Sequence, residues 1–180
     1  MASLLSNDYL MLLKQTHSSN PDWGTSGNIH AKQVIDLYKQ YKYESILDFG
    51  CGKGSLINTL TEYFFVSDNK PIIAGYDPAV LEFCNNQYLS GDLVTCTDVL
   101  EHIEPDYLDD VLNTIWLRTN IHAYFAISLQ PARMILPDGR NAHLLVNNKE
   151  WWIEELERYY KRVQVLESPS FNEARLLCIK

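Results

Sequence analysis

Apolar residues in this chain collect in short, nearly unbroken runs, separated by stretches in which apolar positions recur every three or four residues. The runs are Ser45–Phe49, Ile72–Tyr76, Leu93–Cys96, Ala123–Leu129, Arg162–Leu166 and Ala174–Ile179. Runs this short and continuous predict strands covered on both faces. Between them the period changes to that of a helix. Val34, Leu37, Tyr38 and Tyr41 predict a helix over Ile29–Tyr41, and Leu56, Ile57, Leu60 and Phe64 predict another. Tyr107, Leu108, Val111, Leu112, Ile115 and Trp116 follow Pro105 and Asp106, residues suited to a first helical turn. Trp151, Trp152, Leu156, Tyr159 and Tyr160 mark a further helix. At helical spacing these aromatics read as core. Strands alternating with helices predict an α/β protein whose sheet is mostly parallel, with helices on both faces.

A length of 180 residues suits a single domain spanning 1–180. No run approaches the roughly 18 apolar residues that a membrane span needs, and the N-terminus lacks the basic and apolar regions of a signal peptide. The four cysteines, Cys51, Cys84, Cys96 and Cys178, form no C-x-x-C pair. A reducing cytoplasm is therefore expected. The net charge of −8 opposes non-specific binding to phosphate backbones. The one dense basic group, Arg158, Lys161 and Arg162, falls at a helix end, where cations complement the dipole.

Candidate chemistry begins where the first strand ends, in Asp48-Phe49-Gly50-Cys51-Gly52-Lys53-Gly54. Glycines there permit unusual backbone angles and close approach of a ligand to bare backbone. A dinucleotide site requires G-x-G-x-x-G to seat a pyrophosphate on a helix N-terminus. This loop reads G-x-G-x-G with Asp48 two residues before it, and a carboxylate there favours a cationic, phosphate-free ligand. The second strand ends in Asp77-Pro78, where a carboxylate can accept from a ribose diol. The third runs into Thr97-Asp98-Val99-Leu100-Glu101-His102. Asp98, Glu101 and His102 have the i, i+3, i+4 spacing of a metal face on a helix. No second cluster with ligand chemistry accompanies them, so no metal is expected.

Taken together, LDFGCGKGSL, GYDPAV and DLVTCTDVLEHI resemble the first, second and fourth motifs of the class I S-adenosylmethionine-dependent methyltransferases. The resemblance covers Ser45–Leu129 well and the flanks loosely. It implies a Rossmann-like sheet and S-adenosylmethionine as cofactor. It further implies that Gly50, Gly52 and Gly54 admit the methionine and ribose portions, with Asp48 near the amino group and Asp77 on the ribose hydroxyls. Thr97 and Asp98 would line the methionine side, and His102 would face the reaction cleft. Only residues 78–92 separate Asp77 from Leu93, however. Fully extended they reach about 50 Å, enough to return about 20 Å down and 10 Å across the sheet, but too short to hold the family's additional strand and helices as well. Six strands are expected, with one core strand missing, as in compact phage and bacterial variants. Ala79, Val80 and Leu81 are the candidates near adenine.

Two flanking segments complete the expected site. Residues 1–44 are expected to form an N-terminal helical cap, its turn-rich part bringing Trp23 and Gly24 toward the methionine end. Residues 130–148 are polar and turn-rich and follow a strand, so they are expected to form the substrate loop. In it, His143 is a candidate base or acceptor-positioning group, and Arg133 and Arg140 are candidates for an acidic group of the substrate.

The expected function is methyl transfer to a small-molecule acceptor. Methylation of nucleic acid is a rival. The acidic balance counts against it, as does Thr97-Asp98-Val99-Leu100 standing where base amino-group methylation would use D/N-P-P-[YF/W]. A cofactor-binding regulatory module without catalysis is the other rival.

Overall fold

In the computed structural model, which describes residues 3–67, 69–87 and 89–180, each apolar run becomes a strand of one sheet. The strands are β1 (Ser45–Phe49), β2 (Ile72–Tyr76), β3 (Gly91–Thr97), β4 (Thr119–Ser128), β5 (Arg162–Leu166) and β6 (Glu173–Ile179). Their order is β2-β1-β3-β4-β6-β5. β1 pairs in parallel with β2 and with β3, and β3 with β4. β6 runs antiparallel to both β4 and β5. The described residues between β2 and β3 form turns, fastened by Asn86 Nδ2 donating to Gly75 O at 2.8 Å. Among the described residues no strand forms there, and β2 is the edge of the sheet. This is the missing-strand architecture the short spacer predicts.

The helices are α1 (Asn7–Ser19), α2 (Ala31–Tyr41), α3 (Ser55–Phe64), α4 (Leu108–Arg118) and α5 (Lys149–Glu157). Because successive side chains of a strand point to opposite faces, β1 sends Ile46 one way and Leu47 and Phe49 the other. Ile46, Leu93, Tyr124 and Leu177 pack against Val34 and Leu37 of α2 and Leu56, Leu60 and Phe64 of α3. Leu47, Val94, Phe125 and Leu176 pack against Val111, Leu112 and Ile115 of α4 and Trp152 and Leu156 of α5. The sheet is thus covered on both faces.

Only part of the 1–44 segment behaves as a cap, since α2 belongs to a helix layer. It is α1 that stands apart. Its partners are Leu136 and Ala142 of the 130–148 loop, which Leu5 and Tyr9 meet to form a third, smaller core. That places α1 and the loop together over the carboxyl edge of the parallel strands, the usual ligand edge of an open α/β sheet. The helix is anchored there at its start. Ser6 Oγ accepts from Tyr9 N at 3.2 Å as an N-cap. Glu104 takes the Ser6 amide and hydroxyl, each at 2.8 Å. Among the described residues, no helix is long and apolar enough to cross a membrane.

Candidate functional site

The glycine loop is built by the end of β1 folding over the end of β2. Gly50 N and Cys51 N both donate to Tyr76 O, at 2.7 and 3.1 Å. Gly50, Gly52 and Gly54 all have positive φ, at 77°, 52° and 76°. Gly52 cannot carry a side chain for a second reason: a Cβ there would lie 2.4 Å from Gly24 O. The N-terminal segment is laid directly on the loop. Lys53 N donates to Gly24 O at 2.8 Å, and Lys53 Nζ reaches back to Asn20 O and Pro21 O at 2.8 and 2.9 Å. The one basic side chain of the loop is thereby turned away from the ligand edge.

Between loop, segment and sheet edge lies a cavity of about 250 Å³. Leu4, Leu5, Tyr9 and Leu13 from α1 and its approach form one wall; Phe49, Val99, Ile103 and Val111 face them. Gly50, Gly52, Trp23, Gly24 and Pro78 also line it, and the acids on its lining are Asp22, Asp77 and Asp98. No lysine or arginine is among the described residues that line it. A cavity with this balance suits a cationic ligand with apolar parts and repels a pyrophosphate.

Asp77 is buried, and both its oxygens are already at work. Oδ2 accepts from Gly52 N at 3.0 Å and Oδ1 from Ala79 N at 2.9 Å. Each carboxylate oxygen retains a further lone pair, so the group can shape the loop and still accept from a ligand. Asp98 sits at φ 55°, a left-handed conformation that Asp tolerates better than most residues. Its Oδ2 accepts from Ser26 Oγ at 2.8 Å and lies 3.5 Å from His30 Nε2. Burial works against its ionisation, but His30 and Ser26 beside it outweigh that and hold its pKa below the ordinary carboxylate value.

Asp48 lies elsewhere. It is buried beneath the loop, outside the cavity lining, with Oδ1 accepting from Thr95 Oγ1 at 2.8 Å. Burial, opposed by the Thr95 bond, raises its pKa to about 7. Gly54 and Thr97 are also absent from the lining, and so are Ala79, Val80 and Leu81. Arg133 is exposed, and Arg140 is spent on Asp138 at 2.7 Å while its guanidinium lies over the Tyr9 ring. Neither arginine lines the cavity.

His102 does line it, and Trp23 packs edge-on against its ring with centroids 5.2 Å apart. Burial first, then the neighbouring His143, lowers the His102 pKa to about 4. His143 stands behind His102, outside the lining, with ring centroids 4.8 Å apart. It is on the same side of the sheet as Asp98 and His102, brought there by the 130–148 loop. Asn141 gives that loop its shape, its side chain bonding to both the amide and the carbonyl of Ala132 at 3.0 and 2.9 Å.

The sequence reading missed α1 and with it Leu4, Leu5, Tyr9, Leu13 and His17. A signal was present: Ser6 is a good N-cap, and Tyr9, Leu12, Leu13 and Thr16 keep helical spacing after it. Asp22 and Ser26 carried no comparable signal, because their value depends on where the segment docks.

No protein-family model matches the sequence, and no curated protein matches it. Solved structures do. The 1,6-didemethyltoxoflavin-N1-methyltransferase of Burkholderia thailandensis, solved with 1,6-didemethyltoxoflavin and S-adenosylhomocysteine, is 15% identical with a TM-score of 0.64. The match spans 100% of this chain and 91% of that one. Synechocystis magnesium protoporphyrin IX methyltransferase with S-adenosylmethionine gives 12% and 0.59 over 99% of this chain and 100% of that one. Human N-acetylserotonin methyltransferase, also with S-adenosylmethionine, gives 13% and 0.58 over 96% of this chain but 55% of its own length. The chain has the class I S-adenosylmethionine-dependent methyltransferase fold, in a shortened form.

Proposed function

We propose that this chain is an S-adenosylmethionine-dependent methyltransferase acting on a small-molecule acceptor. One observation carries the reading: a cavity at the carboxyl edge of the parallel strands, floored by glycine backbone, lined by Asp22, Asp77 and Asp98 and by no described lysine or arginine. The residues fit the cofactor. Gly50 and Gly52 line the cavity with bare backbone, and a Cβ on either would collide with Val99 at 2.4 Å or Gly24 O at 2.4 Å, so only glycine lets the loop close there with its backbone open to a ligand. The small-molecule acceptor is supported by the apolar walls that Leu4, Leu5, Leu13, Phe49 and Val111 give the cavity, and by the Burkholderia protein, which was solved with such a molecule.

S-adenosylmethionine supplies an electrophilic methyl group on a positively charged sulfur. The protein's task is alignment and charge. Asp77 accepts from the ribose hydroxyls while holding the loop through Gly52 N and Ala79 N. Asp98, kept ionised, faces the methionine ammonium. Asp48 contributes indirectly, from beneath the loop. Leu4, Leu5, Tyr9 and Leu13 keep water from the transfer region, which strengthens each electrostatic contact inside. His102 stands on the acceptor side with His143 behind it. With a pKa near 4, His102 positions an acceptor by hydrogen bonding and is too weak a base to deprotonate an alcohol. Placing nucleophile, methyl carbon and sulfur in line is itself a large source of rate.

Calorimetry with S-adenosylhomocysteine and with NAD tests the reading, followed by an acceptor screen by mass spectrometry. S-adenosylhomocysteine should bind and NAD should not. Tight NAD binding without S-adenosylhomocysteine binding would end it.

A further inference from the structure

We propose that Glu101, His102 and His143 bind one first-row divalent metal ion, at the place where the 130–148 loop packs behind the cavity-lining His102. One ligating atom from each of the three residues lies within 4.8 Å of those of the other two. Zinc-like ions bind nitrogen and oxygen ligands at about 2.0–2.2 Å, so bound ligand atoms sit roughly 3–3.5 Å apart. The group needs to contract only modestly.

Both imidazoles are prepared for ligation. His102 Nδ1 lies 2.7 Å from Ala142 O, and His143 Nδ1 lies 2.6 Å from Gln130 O. A carbonyl can only accept, so each Nδ1 carries the proton and each Nε2 keeps its lone pair. Metal-ligating histidines are typically oriented by such an outer hydrogen bond. The arrangement is also stitched together by backbone, since Leu145 N donates to Glu101 O at 2.9 Å.

Glu101 supplies the independent observation. It is 1% exposed, its Oε1 accepts from Ser128 N at 2.9 Å, and its Oε2 has no hydrogen-bond partner. A buried carboxyl oxygen left without a partner is costly, and a cation removes that cost. Edge-on packing of the two imidazoles would explain their closeness, but not an unpartnered oxygen on the buried Glu101 side chain grouped with them. His30, Asp98 and Glu173 form another such group. There Asp98 is bonded to Ser26 and Glu173 to the Arg175 guanidinium, which already balances the charge.

Two imidazole nitrogens and one carboxylate oxygen suit Zn²⁺, Mn²⁺, Fe²⁺ or Co²⁺, whereas Mg²⁺ prefers an all-oxygen shell. Three protein ligands leave coordination positions open. Since His102 lines the cavity, those positions would take an oxygen of the acceptor, and the metal would then hold the acceptor in place of a direct hydrogen bond from His102. That role rests on the methyltransferase reading; the binding of the metal does not.

The test is titration of the full chain, freed of metal, with Co²⁺, followed by visible absorption, with S-adenosylhomocysteine calorimetry run in parallel. One equivalent should bind with a d–d absorption band, Zn²⁺ should displace it, and Mg²⁺ should not. His143→Ala is the informative variant because His143 is a half-exposed loop residue. Glu101→Gln is the second, since it keeps an acceptor for Ser128 N. Each should weaken Co²⁺ binding at least about 100-fold, more than the loss of an outer partner alone, with the fold verified by circular dichroism and melting. Wild-type protein that binds S-adenosylhomocysteine but not Co²⁺ overturns the metal site. So does Co²⁺ binding that survives both variants. Co²⁺ bound in one equivalent and lost in the variants, without S-adenosylhomocysteine binding, upholds the site and overturns the methyltransferase reading instead.

Discussion

Replacing Gly52 by alanine separates two costs that glycine avoids. The first is conformational: at φ 52° a Cβ crowds its own backbone, which costs about 1–2 kcal/mol. The second is specific to this place, because the new carbon would lie 2.4, 2.8 and 2.9 Å from the O, Cα and C atoms of Gly24. Backbone cannot yield as a side-chain tip does, so the N-terminal segment must lift. Lifting forfeits the Lys53 N bond to Gly24 O and strains those from Lys53 Nζ to Asn20 O and Pro21 O. At about 1 kcal/mol for the neutral bond and about 1.5–3 kcal/mol for each bond to a charged donor, partial loss brings the total to roughly 3–5 kcal/mol. Gly139→Ala is the control. Its φ is 88°, yet nothing lies within 4 Å of the added carbon, so it should cost only the conformational part. Urea unfolding of both variants gives the difference, and calorimetry should show S-adenosylhomocysteine affinity falling for Gly52→Ala alone. Equal destabilisation of the two variants, with equal affinities, would refute the claim that the segment is docked on the loop.

Asp48→Asn tests the buried acid. Because its pKa is raised to about 7 in the folded state from 3.8, the unfolded chain releases this proton first. Wild-type stability should therefore fall as pH rises from about 4 to about 7 and then level, by up to roughly 4 kcal/mol at 1.4 kcal/mol per pH unit. The variant should gain over wild type at pH 8 and lose that advantage at pH 4; urea titrations showing the same difference at both would contradict it. Asp77→Ala should weaken S-adenosylhomocysteine binding by about 2–4 kcal/mol, and should also lower the melting temperature because Gly52 N and Ala79 N lose their acceptor. Unchanged affinity would reduce Asp77 to a loop brace. Glu104→Ala should release the start of α1, freeing Ser6 N and Oγ. Hydrogen exchange should rise across residues 6–10 while the sheet stays protected, and an unchanged α1 would show that Leu5 and Tyr9 hold it unaided.

The strands, the glycine loop and the shortened crossover were all legible in the sequence, because each follows from rules local to a few residues. A strand buried on both faces must be apolar throughout, as Leu93–Cys96 is. A loop that turns back on a ligand needs glycine, as Gly50 and Gly52 show. Fifteen residues between Asp77 and Leu93 cannot span more than their length allows. The site depended on something else, namely which segments distant in sequence come together. Asp48 and Asp98 look alike as letters, yet packing beneath the loop buries one against Thr95, and docking of residues 22–30 gives the other Ser26 and His30. Tertiary structure also brought α1 over the cavity, spent Arg140 on Asp138, and carried His143 across forty-one positions to stand beside His102. The helical spacing of α1 was readable, but nothing in it says that its partner is a loop and not the sheet. Local geometry is written in neighbouring residues. A charge, a proton or a metal ligand takes its meaning from what is packed against it, and only the folded chain decides that.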